Sequence, residues 1–379
     1  MPVATSDISD TVRSLGWAAA IERTAASLPA ARGVARLRRR HFFHDERVAF
    51  SALLDPAAVP SRGLFVDQLT GASVLVGTAA PTVRSAAAAD VVMVGAMRAA
   101  GQLRFRAFYL SDAARTLAVQ QRLVPDVPTP LVAGIEHQRG LVGRTPFAVP
   151  RILEHGHAGT GLGGQAVADW VVEETLDGVP IGPADAERTV AELLELLAET
   201  WQRLGVTHEG LDGDERENAL TAFASLVDDP PLGAWPDGLD PHRTWSRVRS
   251  ALEDTRPLTT GLSHGDAGVG NVLRLADGRL ALVDWEFAGY RAVAHDVVKV
   301  LKSAPDPLAL AAVAEAPPSL RPALTAAGAV PWRQQLAVAL VLFLSGWRNR
   351  HLRAVARGSV KANNRRMRMM LAMLDDLLP

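Results

Sequence analysis

Three oxygen-bearing side chains fall within one short stretch, at a spacing that suits phosphoryl transfer. The segment Leu262-Ser-His-Gly-Asp-Ala-Gly-Val-Gly-Asn-Val-Leu273 holds Asp266 and Asn271, five residues apart. Leu280-Ala-Leu-Val-Asp-Trp-Glu286 adds Asp284, thirteen residues further on. A hydroxyl is a poor nucleophile and ATP a stable donor, so a protein that joins them must align the two and neutralise phosphate charge. One Asp in a loop accepts the hydroxyl proton. An Asn one loop-turn on, and an Asp at the end of a facing strand, hold Mg²⁺ on the phosphates. Asp266 is the expected base, Asn271 and Asp284 are the expected metal ligands, and ATP and Mg²⁺ are the implied cofactors. His264 reads as a loop organiser, through a ring hydrogen bond to backbone. Asp296, in Ala294-His-Asp-Val-Val298, is expected to brace that loop from a following helix, and Trp285 to support the Asp284 turn.

The elements that must position these residues fall into two textures. From Gly63, Leu64–Val66, Val74–Val76, Val91–Val94 and Leu103–Leu110 read as strands between Gly, Pro and Ala turns. Ser111-Asp112 reads as the cap of a helix through about Leu123, ended by Pro125, Pro128 and Pro130. Asp169–Glu174 reads as a strand and Leu176–Pro180 as a turn. Beyond Pro183 helices dominate: Val190, Leu193, Leu194, Leu197, Trp201 and Leu204 recur at helical spacing. Val272–Leu275 and Leu280–Val283 form an embedded hairpin around Ala276-Asp-Gly278. The expected division is residues 1–172, sheet-rich with a helical extension over about 1–60, and 173–379, mostly helical.

Composition narrows the class. A chain of 379 residues with net charge −1 has no overall field that favours nucleic acid. Absence of cysteine removes disulfides and thiolate chemistry. The longest apolar run, Leu336–Leu344, is far short of the roughly 20 residues needed to span a bilayer, and no signal segment opens the chain. A cytoplasmic protein without a transmembrane segment is the expectation.

His-Gly-Asp-x4-Asn followed by a hydrophobic strand and Asp-Trp-Glu resembles the aminoglycoside phosphotransferase and choline kinase-like family, over about 255–300. Trp170-Val-Val-Glu-Glu-Thr-Leu-Asp-Gly-Val-Pro180 is similar, more loosely, to that family's strand, linker and turn. The resemblance implies an α+β, protein kinase-like two-lobed fold, with an antiparallel-sheet N-terminal lobe and a mostly helical C-terminal lobe. It implies ATP between the lobes, its adenine held by backbone near Glu173, Glu174 and Thr175. It also implies a strand lysine in the first lobe, oriented by a helix glutamate.

That lysine is missing. The chain's only lysines are Lys299, Lys302 and Lys361. The best register puts Arg106 in its place and Gln120 in place of the glutamate, with Arg104 an equal contender; a guanidinium keeps the charge but fits differently. Two surface arginines on an edge strand are the plain alternative. Ala267-Gly-Val-Gly270 also departs from the family, which has a bulky residue after the Asp.

Other signals weigh less. Gly159-Thr-Gly-Leu-Gly-Gly164 matches G-x-G-x-x-G, but a dinucleotide site needs a helix after it, and a strand is expected there. The acids Glu209, Asp212, Asp214, Glu215, Glu217, Asp228, Asp229, Asp237 and Asp240 read either as a solvated face or as an attraction for a cationic acceptor. The basic C-terminal stretch reads as a packed helix with a wet side. The expected activity is ATP- and Mg²⁺-dependent phosphorylation of a small-molecule hydroxyl, such as that of an aminoglycoside, sugar or amine alcohol. Two alternatives keep the fold: binding of nucleotide or a partner without transfer, and nucleotidyl transfer.

Overall fold

The computed structural model describes residues 41–44, 91–94, 104–109, 115–158, 168–176, 178–231, 233–304, 317–318, 320–324, 328–356 and 359–378. The chain divides into two compact units. One comprises Met1–Gly143, Phe147–Pro180 and Leu273–Ala288; the other comprises Arg144–Pro146, Ile181–Val272 and Gly289–Pro379. Packing thus ends the first unit at Pro180, where the sequence reading cuts at 172/173, and gives it the hairpin that follows Val272.

The first unit is built on an antiparallel sheet of β1 (His41–His44), β2 (Val91–Val94), β3 (Arg104–Tyr109), β4 (Arg115–Gln121), β5 (Ile152–Ala158) and β6 (Ala168–Glu174), in the order β1-β2-β3-β4-β6-β5. Two expectations are corrected here. His41–His44, inside the expected helical extension, is a strand. Arg115–Gln121, inside the expected helix Ser111–Leu123, is also a strand. Thr116, Ala118 and Gln120, two apart, are all buried, as one face of a strand, and both edges of β4 are paired, to β3 and β6. Propensity in this Ala- and Gln-containing stretch gave way to ladder pairing on two sides. The rest of the helical extension, the strands expected at 64–66 and 74–76, and Gly159–Gly164 lie outside the described residues.

Two short helices, α1 (Pro130–Ala133) and α2 (Ile135–Leu141), pack on this sheet. Leu131 and Ile135 join Ala118 and Val171 in one buried cluster, with Val132 and Ile152 against it. A buried ion pair fixes the approach to α1. Asp169 on β6 is fully buried; its Oδ1 accepts from Arg122 Nε at 2.9 Å and Nη2 at 2.7 Å, and its Oδ2 accepts from the Thr129 N–H at 2.7 Å. A carboxylate out of water must be paired and hydrogen-bonded, and this one is. β7 (Gly178–Pro180) then leaves the large sheet.

In the second unit, α3 (Ala186–Leu204) buries Val190, Leu193, Leu194, Leu197 and Trp201 on one stripe, as the sequence period requires. β8 (Thr207–Glu209), α4 (Gly213–Asp228) and α5 (Pro241–Glu253) follow. β9 (Leu258–Ser263) is buried at all but one position. The Trp201 indole donates to the Leu262 carbonyl at 2.9 Å, tying α3 to β9 just before the Asp266 loop.

β10 (Val272–Leu275) and β11 (Leu280–Leu282) form the hairpin, and β10 pairs with β7. Gly278 turns it at φ +85°, a backbone angle that glycine adopts without strain. β12 (Gly289–Ala292) pairs with β9 on the edge opposite β8. The chain finishes in α6 (Val293–Leu301), α7 (Arg321–Leu324), α8 (Trp332–Ser345), α9 (Trp347–Ala356) and α10 (Val360–Leu377). The apolar run 336–344 is the buried heart of α8. Met367, Met370, Leu371 and Leu374 line the buried side of α10, while Lys361, Arg365, Arg366 and Arg368 stay wet. The chain is α+β, with antiparallel sheets concentrated in one unit and helices in the other. Among the described residues no helix is long and apolar enough to cross a membrane.

Candidate active site

The loop between β9 and β10 belongs to the second unit and is held from one side by a single buried carboxylate. Asp296, in the first turn of α6 and fully buried, accepts from the His264 N–H at 2.6 Å through Oδ2 and from the Gly265 N–H at 2.8 Å through Oδ1. Burial raises the Asp296 carboxyl, but His295, with Nδ1 3.7 Å away, and His264 outweigh it and leave the group below the usual carboxylate range. Its place near a helix N-terminus favours the anion further. Gly265 takes φ +79°, where a side chain is strained, so the reversal that presents Asp266 depends on glycine.

His264 is buried, and its Nδ1 accepts from the Asp266 N–H at 3.2 Å. That is the expected ring-to-backbone bond, and it assigns the proton to Nε2. The loop then closes on itself. The Asp266 carbonyl accepts from the Gly268 N–H at 2.7 Å and from Asn271 Nδ2 at 2.9 Å. The Val269 N–H meets Ser303 Oγ at 3.4 Å. A Cβ on Gly268 would lie 3.1 Å from that oxygen, so a residue without a side chain lets the loop seat against Ser303 just beyond α6.

The Asp266 carboxylate is half-buried. Lys299 Nζ lies 3.0 Å and Lys302 Nζ 3.9 Å from its Oδ1. Burial pushes this carboxyl up; the charges of Lys299 and Lys302 outweigh it and hold the group below its ordinary value. Asp266 is therefore ionised at neutral pH, the state a proton acceptor needs. These two lysines escaped the sequence reading. The signal was present: Lys299 follows Asp296 by three residues on one helix, so both share a face, and that face meets the loop.

Asp284 and Trp285 lie in the first unit. Asp284 has φ +73° and ψ +54°, and is the one non-glycine residue with positive φ among those described. Strained backbone of this kind costs about 1–3 kcal/mol and clusters at functional sites, although Asp tolerates it better than most residues. The turn is built over packed ground. The Trp285 ring stacks on Phe147 at 6.1 Å, its indole donates to the Leu282 carbonyl at 2.7 Å, and Ala148 bonds β11 through both its N–H and its carbonyl. Gly134 passes so close that an added Cβ would sit 2.4 Å from the Trp285 carbonyl oxygen.

The donor types suit a hard divalent cation. Asn271 donates its Nδ2 to the Asp266 carbonyl, so its Oδ1 is the atom that could serve a cation, and Asp284, in the other unit, is likewise an oxygen donor. Mg²⁺ is commonly held by one or two protein oxygens together with phosphates and water. Among the described residues no group of three or more His, Asp and Glu side chains could hold a metal unaided.

The remaining predicted residues lie in the first unit's large sheet. Arg104 is opposite Gln120 and Arg106 opposite Ala118 in the β3–β4 register. Gln120 is buried on a strand, so the helix that was to carry the lysine's partner is not at Ser111–Leu123. Glu173 is buried, its Oε2 3.2 Å from Gln138 Nε2, and the Glu174 N–H already donates to the Arg151 carbonyl. The chain leaves the ladder at Thr175, whose hydroxyl meets Thr116 Oγ at 2.7 Å. β5 and β6 are antiparallel neighbours, and the glycine-rich segment between them lies outside the described residues. Two of the acids read as an attraction for a cationic acceptor have local work: Asp212 caps α4 and Asp240 caps α5, each accepting two backbone N–H groups.

No curated protein matches the chain in sequence. Among solved structures, a thermostable mutant of aminoglycoside phosphotransferase APH(4)-Ia is similar at 15% identity, covering 74% of this chain and 94% of that one, with a TM-score of 0.43. A choline/ethanolamine kinase family protein from Mesorhizobium loti is similar at 17% identity, with coverage of 74% and 90% and a TM-score of 0.42. Amicoumacin kinase hAmiN, in complex with AMP-PNP, Ca²⁺ and Ami, is similar at 12% identity, with coverage of 73% and 87% and a TM-score of 0.46. Residues 96–337, well over half of the chain and including His264, Asp266, Asn271, Asp284 and Asp296, match one family, and the protein belongs to it: the phosphotransferase enzyme family.

Proposed function

We propose that the protein transfers the γ-phosphoryl group of Mg²⁺-bound ATP to a hydroxyl of a small molecule, in the cytoplasm. The observation that carries this reading is the Asp266 loop: a carboxylate kept ionised by Lys299 and Lys302, on a backbone reversal clamped by Asp296. Asp266 orients the acceptor hydroxyl and takes its proton as the new P–O bond forms and the bond to the leaving ADP breaks. His264 acts as a positioning residue, since its ring accepts from the Asp266 backbone. Asn271 and Asp284 hold the cation. When bound, Mg²⁺ neutralises charge that spreads over the phosphate oxygens. Arg106 or Arg104 supplies the charge that a first-lobe lysine would, and backbone near Glu173, Glu174 and Thr175 holds the adenine.

Isothermal titration with ATP, with and without Mg²⁺, tests the nucleotide site. Wild type is expected to bind in a Mg²⁺-dependent way and Asp284→Ala to lose that dependence. Unchanged Mg²⁺-dependent affinity in the variant would remove Asp284 from the metal site. A second reading, binding without transfer, draws on the lack of any lysine in the first 298 residues. It predicts nucleotide binding with no phosphorylated product from any acceptor.

A further inference from the structure

Beside Asp266 the second unit gathers positive charge around one ring. Lys299 Nζ, Lys302 Nζ and Arg350 Cζ lie 5.3, 4.7 and 4.3 Å from the centroid of Phe343, which α8 carries. The lysines come from α6 and its C-terminal cap, and the arginine from α9. Arg350 is anchored by donating to the Leu344 carbonyl at 3.2 Å. Both lysine side chains are largely buried, at 16% and 22% exposure. Two of the chain's three lysines stand here, in a protein whose basic residues are otherwise arginines apart from Lys361. A compact ammonium is a point charge that fits a crowded recess better than a planar fork.

Gathering like charges out of water is unfavourable. The cost is visible at Lys302, which is pushed down to about 8, first by burial and then by the charge of Lys299; Arg350 and Arg366 add to this, and the Asp266 carboxylate opposes it without balancing it. Lys299 alone suffices to pair Asp266, at 3.0 Å. Lys302 and Arg350 go beyond that need, and a recess of this sign raises the local concentration of anions.

We propose that the acceptor is an acid: its phosphate or carboxylate sits on Lys302 and Arg350 while its hydroxyl reaches Asp266. This assignment rests on the reading of Asp266 as the base. It replaces the cationic acceptor suggested by the acids 209–240, because an ammonium brought to Asp266 would meet Lys299 and Lys302.

The test is isothermal titration of the full chain with inorganic phosphate, D-glucose 6-phosphate, D-gluconate, D-glucose and D-glucosamine, each with and without saturating Mg·AMP-PNP. The anions are expected to bind at least about tenfold tighter than glucose, and Lys302→Gln and Arg350→Gln each to erase about tenfold of that. Thermal melts identify a variant that fails to fold, and the other then decides. Asp266→Asn is expected to tighten the anions, since it removes a like charge; anion binding that weakens or stays unchanged in this variant would overturn the assignment. Phosphate and carboxylate sources separate by which of the two sugar acids binds. Preference for glucosamine, equal affinity across the panel, or anion binding untouched by both cation variants would overturn the assignment. So would displacement of the anions by AMP-PNP, which would give the cations to the nucleotide. Anion binding without phosphoryl transfer to any acceptor would support the recess and refute the base. Transfer to neutral acceptors without anion binding would do the reverse.

Discussion

Lys299 Nζ stands 3.0 Å from Asp266 Oδ1, and the two residues sit 33 apart in the chain. The pair couples the loop that carries the proposed base to the helix that braces it, because Asp296 lies on the same helix one turn earlier. One helix thus fixes the loop backbone and sets the charge state of its carboxylate.

Removing that ammonium should move the pH dependence of turnover. Asp266 is held below its ordinary value although burial alone would raise it. In Lys299→Met the effect of burial is opposed by less charge, so the acidic limb of kcat/KM for ATP turnover moves to higher pH. A limb that stays in place would show that Lys299 does not set the protonation of the base.

Asp296→Asn tests the clamp. An amide keeps one acceptor oxygen and turns an NH₂ toward a backbone donor, leaving a buried N–H without its bond. The expected loss is about 1–3 kcal/mol in denaturant unfolding, together with a fall in turnover larger than the fall in ATP affinity. A variant of unchanged stability would mean that the loop holds its shape without Asp296.

Gly134→Ala probes the Asp284 turn from beneath. Its Cβ would lie 2.4 Å from the Trp285 carbonyl oxygen, a backbone atom that moves only if the turn moves. The expected result is a lower melting temperature and weaker Mg²⁺-dependent nucleotide binding. Wild-type values for both would show that the turn accommodates the methyl.

The basic recess should titrate. Lys302, faced by Lys299, Asp266, Arg350 and Arg366, is pushed down to about 8. Its folded-state value lies below the ordinary lysine value, so its protonated form opposes folding, and stability should rise with pH from about 8 toward the ordinary value near 10.4. Anion binding runs the other way: it needs the ammonium and should weaken as pH rises past about 8. Affinity for D-glucose 6-phosphate measured across this range checks the sign, and pH-independent affinity would take Lys302 out of the recess.

Much of this was legible in the chain, for reasons particular residues make plain. The stripe Val190, Leu193, Leu194, Leu197 and Trp201 specified α3 because its period admits one element. His-Gly-Asp and its Asn specified a loop because the roles depend on short separations that local geometry preserves. Arg115–Gln121 misled because alanine and glutamine favour helix while two neighbouring strands, distant in sequence, decide the outcome. In the sequence Lys299 and Lys302 stand out only by type, as two of the chain's three lysines. Their meeting with Phe343 and Arg350 requires α6, α8 and α9 to pack, which no local pattern encodes.

What leaves ATP, and where it goes, decides whether the protein is a phosphotransferase of hydroxyl acceptors. The decisive measurement is the mass of the product formed from a mixed pool of neutral, acidic and amino-bearing alcohols with Mg·ATP, for wild type and Asp266→Asn. One added phosphate with release of ADP, lost in the variant while nucleotide binding persists, is the predicted result. One added nucleotide, or equal phosphorylation by Asp266→Asn, would contradict it.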